Sequence, residues 1–220
     1  MGSTESPAPI QGGLLQPINL HNDDEFEELL RQRIICGWHK TQSDIEGWRA
    51  AVDDGTREIF WILHPSESLS HHSTVTKRCA GHISIVNGTS PPDQELARRD
   101  KSLLYLSSLF VLPEYQKAGL GRRAVQEVER LAKMEPYGSP ACQAITIHTA
   151  SRRYTEDDGE DWRGIYARMG AEPRPRGSSA EDWYARMGYV KWKEQPQYPE
   201  TLLDGTKIMM VSSFMRKELA

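Results

Sequence analysis

From Asp23 onward the apolar positions Phe26, Leu29, Leu30 and Ile34 recur at helical spacing, behind acidic Asp23, Asp24 and Glu25 and ahead of Gly37. That pattern predicts an amphipathic helix that stops at the glycine. A second helix is predicted from Ser43, where Ser43 and Glu46 form a capping-box pattern and Ile45, Trp48 and Val52 share a face, ending at Asp53-Asp54-Gly55. Before the first helix, Leu14 to Leu20 reads as a strand. After the second, Arg57 to Leu63 and Cys79 to Val86 read as two more, the former rich in β-favouring Ile, Phe and Trp. Leu103 to Leu112 is a further apolar strand. The clearest helix comes after it, with Leu120, Ala124, Val125, Val128, Leu131 and Ala132 on one face and Arg122, Arg123, Gln126, Glu127, Glu129 and Arg130 between them. Pro136, Gly138 and Pro140 end it, and Ala144 to Thr149 reads as the next strand, making a β-α-β unit. Tyr189 to Lys193 and Ile208 to Phe214 supply two closing strands, joined by a proline-containing connection. Strands and helices in this order point to an α/β (α+β) domain.

The stretch after His148 carries an internal duplication. EDW occurs at Glu160 to Trp162 and at Glu181 to Trp183, and YARMG at Tyr166 to Gly170 and at Tyr184 to Gly188. Two copies are too few for a solenoid, so the segment 150–180 reads as an insertion in a single domain running from 14 to 220, behind a disordered polar tail at 1–13. A length of 220 residues suits one elaborated domain.

Charge is nearly balanced, 27 Lys+Arg against 31 Asp+Glu, so no global field draws a polyanion and no nucleic-acid partner is indicated. Unbroken apolar runs such as Ile59 to Leu63 fall far short of the roughly 18 residues of a membrane span, so no membrane partner is indicated either. Cys36, Cys79 and Cys142 are odd in number and widely spaced, which argues against both a disulfide framework and a zinc site and favours a reducing, cytoplasmic location. The N-terminus has no secretory pattern. Gly2 and Ser6 match a myristoylation pattern short enough to recur by chance.

Candidate chemistry concentrates between Leu109 and Gly121. A strand there feeds a glycine-containing turn that opens a helix, so the first helical N–H groups lack internal acceptors and the helix dipole adds positive potential. Ala118, Gly119 and Gly121 let phosphate oxygens approach the main chain, and Lys117, Arg122 and Arg123 add cations, partly offset by Glu114. A diphosphate is the natural ligand. Gly119-x-Gly121-x-x-Ala124 also satisfies the dinucleotide fingerprint. That code requires the glycines directly after the strand and an acid about 20 residues on, whereas Pro113 to Ala118 intervene and Thr146 to Thr149 holds no acid.

On these residues the sequence resembles the GNAT superfamily of acetyl-CoA-dependent N-acetyltransferases, through L-x-V-x-P-E-Y-Q-x-x-G-x-G from Leu109 to Gly121. The order of elements from Leu14 to Phe214 is similar to the family's as well. The resemblance implies a GNAT fold, a mixed and mostly antiparallel central sheet of about six to seven strands flanked by helices, splayed at a central strand. It implies that the main chain of Leu109, Phe110 and Val111 pairs with pantetheine. Gln116, Lys117, Ala118, Gly119, Leu120, Gly121 and Arg122 would hold the pyrophosphate of acetyl-CoA. A second family signature looks like Trp183-Tyr184-Ala185-Arg186-Met187-Gly188-Tyr189, which implies Tyr184 as the general acid for the leaving thiolate. Its duplicate, Tyr166, lacks the flanking aromatics and a strand immediately after its glycine. The chain departs from the family in having Gly177 where an asparagine is usual.

Acetyl transfer needs a neutral amine, and a free alkylamine of pKa about 10.4 is neutral in only about one molecule per thousand at pH 7. A base must therefore act, and His82, His148 and Glu114 are the candidates; no sequence rule selects among them. A main-chain N–H near Phe110 would meet the oxyanion. The acceptor is expected to be a primary amine of a small molecule or peptide, attacking directly in a ternary complex, and a homodimer is admitted. Glu156, Asp157, Asp158, Glu160 and Asp161 offer either an attraction for cationic amines or a solvated loop. Trp38 and His39 fall where the family often lines its acceptor pocket. The alternative is a non-catalytic acyl-CoA-binding or regulatory module on the same fold.

Overall fold

The computed structural model describes residues 13–64, 79–156, 159 and 162–220. Gly2 and Ser6, and Asp157, Asp158, Glu160 and Asp161, lie outside the described residues. The chain divides into two compact units, Met1–Gln143 and Ala144–Ala220.

The first unit contains β1 (Leu15–Pro17), α1 (Asp23–Cys36), α2 (Gln42–Asp53), β2 (Arg57–Leu63), β3 (Cys79–Val86), β4 (Leu103–Val111) and α3 (Leu120–Leu131). Helix α1 starts where Asn22 accepts from the Glu25 N–H and stops at Gly37, whose φ of 87° lets its N–H reach the carbonyls of Arg33 and Ile34. Helix α2 begins earlier than Ser43. Its capping box is Thr41 with Asp44: Thr41 Oγ1 accepts from the Asp44 N–H at 3.2 Å and the Asp44 carboxylate accepts from the Thr41 N–H at 2.9 Å. The Ser43 pattern loses because Thr41 sets the helix start two residues upstream.

Strands β1 to β4 lie in sequence order and every neighbouring pair is antiparallel. On one face, Ile59 and Trp61 pack with Ile18, Leu20, Leu29, Ile45 and Trp48 beneath α1 and α2. Alternation along the strands turns Phe60, Ile62, Ile83 and Ile85 to the other face, where Phe60 meets Tyr137 edge-on at 5.0 Å. Helix α3 buries Leu120, Ala124, Val125, Val128 and Leu131 against β3 and β4.

The second unit contains β5 (Ala144–Ala150), α4 (Arg153–Glu156), α5 (Ile165–Arg168), α6 (Ala180–Ala185), β6 (Val190–Thr201) and β7 (Lys207–Glu218), with antiparallel strands in the order β5-β7-β6. Both closing strands outrun the sequence expectation. Pro196 and Pro199 do not mark a connection; they sit inside β6 opposite Val211 and Met209. Proline is tolerated there because β6 ends the order and one of its sides needs no N–H donors. The true turn is Leu202 to Thr206, closed by the Leu202 N–H on the Thr206 carbonyl at 2.9 Å.

Two carboxylates tie this unit together. Glu181, on α6 and fully buried, accepts from Ser213 Oγ at 2.6 Å, from the Arg152 N–H and Nε at 2.8 Å each, and is paired with Lys191 Nζ at 3.1 Å. Glu194 accepts from Ser151 Oγ at 2.6 Å, from Ser213 Oγ and Lys191 Nζ at 3.0 Å each, and from Arg153. Burial pushes both groups up, but these bonds to the charged form outweigh it and hold each carboxyl at about 2. Among the described residues no helix is long and apolar enough to cross a membrane.

Candidate functional site

Strand β4 is irregular where it reaches its C-terminal end. His82 faces Phe110 and Ser84 faces Ser107, so three steps along β4 span two along β3. The extra residue makes a β-bulge, with Ser108 in the left-handed region at φ 55°. Beyond the bulge Leu109, Phe110 and Val111 are only half-buried, although the same strand is buried at Leu103, Leu104 and Leu106. A bulge leaves main-chain groups outside the regular ladder, which is what a ligand pairing with this strand would require. Gly81 lets β3 approach closely here: a Cβ at that position would stand 2.1 Å from the Phe110 carbonyl oxygen.

The chain then makes a 3-10 turn at Pro113–Tyr115. Gln116 folds back and donates from Nε2 to the Val111 carbonyl at 2.9 Å, pinning the turn to the end of β4. Lys117 and Gly119 take positive φ values of 67° and 76°, and α3 starts from Gly119 with no side-chain cap. Its first internal bond is the Arg123 N–H to the Gly119 carbonyl at 3.1 Å. Among the described residues no acceptor meets the N–H groups of Leu120, Gly121 or Arg122. Nothing lies within 4 Å of where a Gly119 Cβ would stand, and Lys117, Ala118 and Arg122 are exposed. Uncapped amides, an aligned helix dipole and two cations in open space are the features that a seat for phosphate oxygens requires. Glu114, on the 3-10 turn, is exposed beside this seat.

His82 is wholly buried, with both ring nitrogens engaged. Nδ1 lies 2.9 Å from Gln32 Oε1 and Nε2 lies 3.3 Å from Arg33 Nη1. Burial, and then the Arg33 charge, push the imidazole well below its ordinary value, so it is neutral. Donation from Nδ1 to Gln32 leaves the only ring lone pair facing Arg33, and none remains for an incoming amine. The ring packs against Phe110 at 5.7 Å, so His82 supports the strand end from behind. His148, half-buried on β5 of the second unit, stacks between Tyr198 at 5.6 Å and Phe214 at 5.4 Å.

The duplicated segment folds twice into the same turn. After Tyr166, the N–H groups of Met169 and Ala171 reach the Tyr166 carbonyl and Gly170 closes the helix at φ 73°. After Tyr184, Met187 and Tyr189 do the same and Gly188 takes φ 91°. The two turns continue differently. Gly188 leads at once into β6, whereas residues 171–179 form no helix or strand. Tyr184 is buried between Trp183 and Tyr189, with ring centroids 4.7 and 5.4 Å away, and burial pushes its phenol above the ordinary value. Tyr166 packs at the margin of the cluster of Tyr154, Ile165, Leu202 and Val211.

The family model described as the acetyltransferase (GNAT) family matches residues 37–171, more than half of the chain. The chain belongs to that family. As a GNAT acetyltransferase it is an acyltransferase with the family's α/β fold, and the matched span ends at Ala171, one residue past the first YARMG copy and before Tyr184. Solved structures share the fold at low identity. The aminoglycoside 6'-N-acetyltransferase of Enterococcus faecium is 12% identical, with a TM-score of 0.57 over 94% of this chain and 98% of its own. NAA60 of Arabidopsis thaliana, solved with acetyl-CoA, is 16% identical, with a TM-score of 0.53 over 93% and 97%. A variant of the spermidine N-acetyltransferase SpeG of Vibrio cholerae is 11% identical, with a TM-score of 0.53 over 93% and 94%. No curated protein matches the acetyltransferase in sequence.

The sequence reading missed a polar group beneath α1. Helix α1 is rotated so that Gln32 and Arg33 are buried while Ile34, expected on the apolar face, is 57% exposed. The signals that could have revealed it are Arg57 and Ser84, polar side chains on the strand face that also carries Ile59 and Trp61. They share one sheet face, and Arg57 Nη1 donates to Ser84 Oγ at 3.1 Å.

Proposed function

We propose that the chain is an N-acetyltransferase that moves the acetyl group of acetyl-CoA onto a primary amine in a ternary complex. The observation that carries this reading is the uncapped start of α3, open at Gly119, one 3-10 turn after a bulged and half-buried strand end in a chain of the GNAT family. The amides of Leu120, Gly121 and Arg122, with Lys117 alongside, receive the pyrophosphate. The strand end at Leu109, Phe110 and Val111 receives the pantetheine, and an N–H released by the bulge near Phe110 meets the developing oxyanion. The amine nitrogen forms its bond to the thioester carbonyl carbon, the C–S bond breaks, and the departing thiolate takes the Tyr184 proton. Burial makes the Tyr184 phenol a weaker acid in the free enzyme, so support for that role comes from its place in the second signature, ahead of Gly188 and β6. With His82 occupied by Gln32 and Arg33, Glu114 acting through water and His148 remain for removal of the amine proton.

Acetyl-CoA consumption is measured against a panel of polyamines, amino acids, aminoglycosides, arylamines and lysine peptides, beside a Gly121→Glu variant. Turnover on at least one class is expected, with acetyl-CoA binding lost in the variant because its carboxylate stands where phosphate should sit. Unchanged binding in Gly121→Glu overturns the placement.

A further inference from the structure

We propose that the amine accepted by this enzyme carries a carboxylate, recognised by Arg33 and Arg57. This deepens the acetyl-transfer reading and rests on it. Arg33 is only 3% exposed; its Nε donates to the Trp38 carbonyl at 2.9 Å and its Nη1 approaches His82. Arg57 donates to Ser84 Oγ. Both guanidiniums lie against the same indole, Trp48, with Arg33 5.1 Å and Arg57 4.6 Å from the ring centroid.

Neither arginine has a carboxylate partner among the described residues. Other arginines of the first unit do: Arg31 pairs with Glu28, Arg99 with Asp54 and Arg130 with Glu127, all at the surface. In the first unit these carboxylate-paired arginines sit at the surface, whereas Arg33 and Arg57 are withdrawn from water. Two withdrawn charges so close together repel, and burial lowers the basicity of both, Arg57 to about 10. Both remain cationic at neutral pH. Such an arrangement is costly without an anion, and the rotation of α1 that creates it leaves Ile34 and Ile35 in solvent. Carboxylate oxygens fit guanidinium forks through charge-assisted bonds, and indole faces hold those forks in place.

The group also has a path to the reacting strand. Ser84 Oγ donates to the Ser107 carbonyl at 3.2 Å, and Ser107 Oγ lies 3.1 Å from Ser108 Oγ. A polar row thus runs from Arg57 to the bulge, where the thioester is expected. An acceptor anchored by its carboxylate at Arg57 presents its amine along that row.

The test compares matched amines with the full-length enzyme: 4-aminobutyrate against 4-aminobutanamide, and amino acids against their amides. The carboxylates should show about tenfold or greater kcat/KM, the size of a lost charge-assisted hydrogen bond. Arg57→Gln should raise KM for the carboxylates more than for the amides and so shrink the preference, and Arg57→Lys should restore part of it. If Arg57→Gln does not fold, the wild-type comparison decides alone. Equal or faster turnover of amides or polyamines overturns the anionic acceptor and leaves acetyl transfer standing. Failure to bind acetyl-CoA overturns both.

Discussion

At the scale of single residues, the duplicated tyrosines make the sharpest comparison. Tyr184→Phe keeps the ring packed between Trp183 and Tyr189 and removes only the proton, so kcat should fall by roughly 10² to 10⁴ with acetyl-CoA affinity retained. Tyr166→Phe should leave kcat close to wild type. Steady-state kinetics on both variants check this, and the reverse pattern assigns the acid to the first copy, where the family match ends. The repeated YARMG was legible in the sequence, and so was the strand that comes directly after only its second occurrence. Arg33 was not. Periodicity assigns the buried face of α1 by hydrophobicity, which places Ile34 inside, and a helix that turns a guanidinium inward for chemical reasons defeats that assumption.

At the scale of elements, most boundaries came from pattern. Strands β2 and β3 and the start of α3 fall where alternation and helical spacing put them. The bulge in β4 left no such trace, because a serine at positive φ looks like any serine in a list of letters. Its companion Gly81 is equally silent, yet the β3–β4 approach depends on it. Gly81→Ala should destabilise the protein by about 1–3 kcal/mol, since the new methyl would meet the Phe110 carbonyl and force β4 away. Thermal unfolding and an acetyl-CoA titration measure the two consequences together. An unshifted midpoint with unaltered affinity would mean that the strands separate there without cost. The long β6 was hidden by its prolines, which signal a break in isolation and a strand only once an edge position is known.

At the scale of the whole molecule, the paired carboxylates set a limit at low pH. Glu181 has a folded pKa of about 2 against an ordinary 4.5, so its stabilisation is complete above about 4.5 and disappears as pH falls toward 2. The difference corresponds to about 3 kcal/mol for this fully buried side chain. Urea unfolding at pH 7, 4 and 3 should show stability falling with pH, and Glu181→Gln should flatten that decline. A Gln variant with an unchanged acid profile would remove Glu181 as its source. The second unit also exposes β6 as a free border of its β5-β7-β6 ladder. With Pro196 and Pro199 along that border, two backbone positions have no N–H to offer a visiting strand. Strand addition along this border is thereby discouraged.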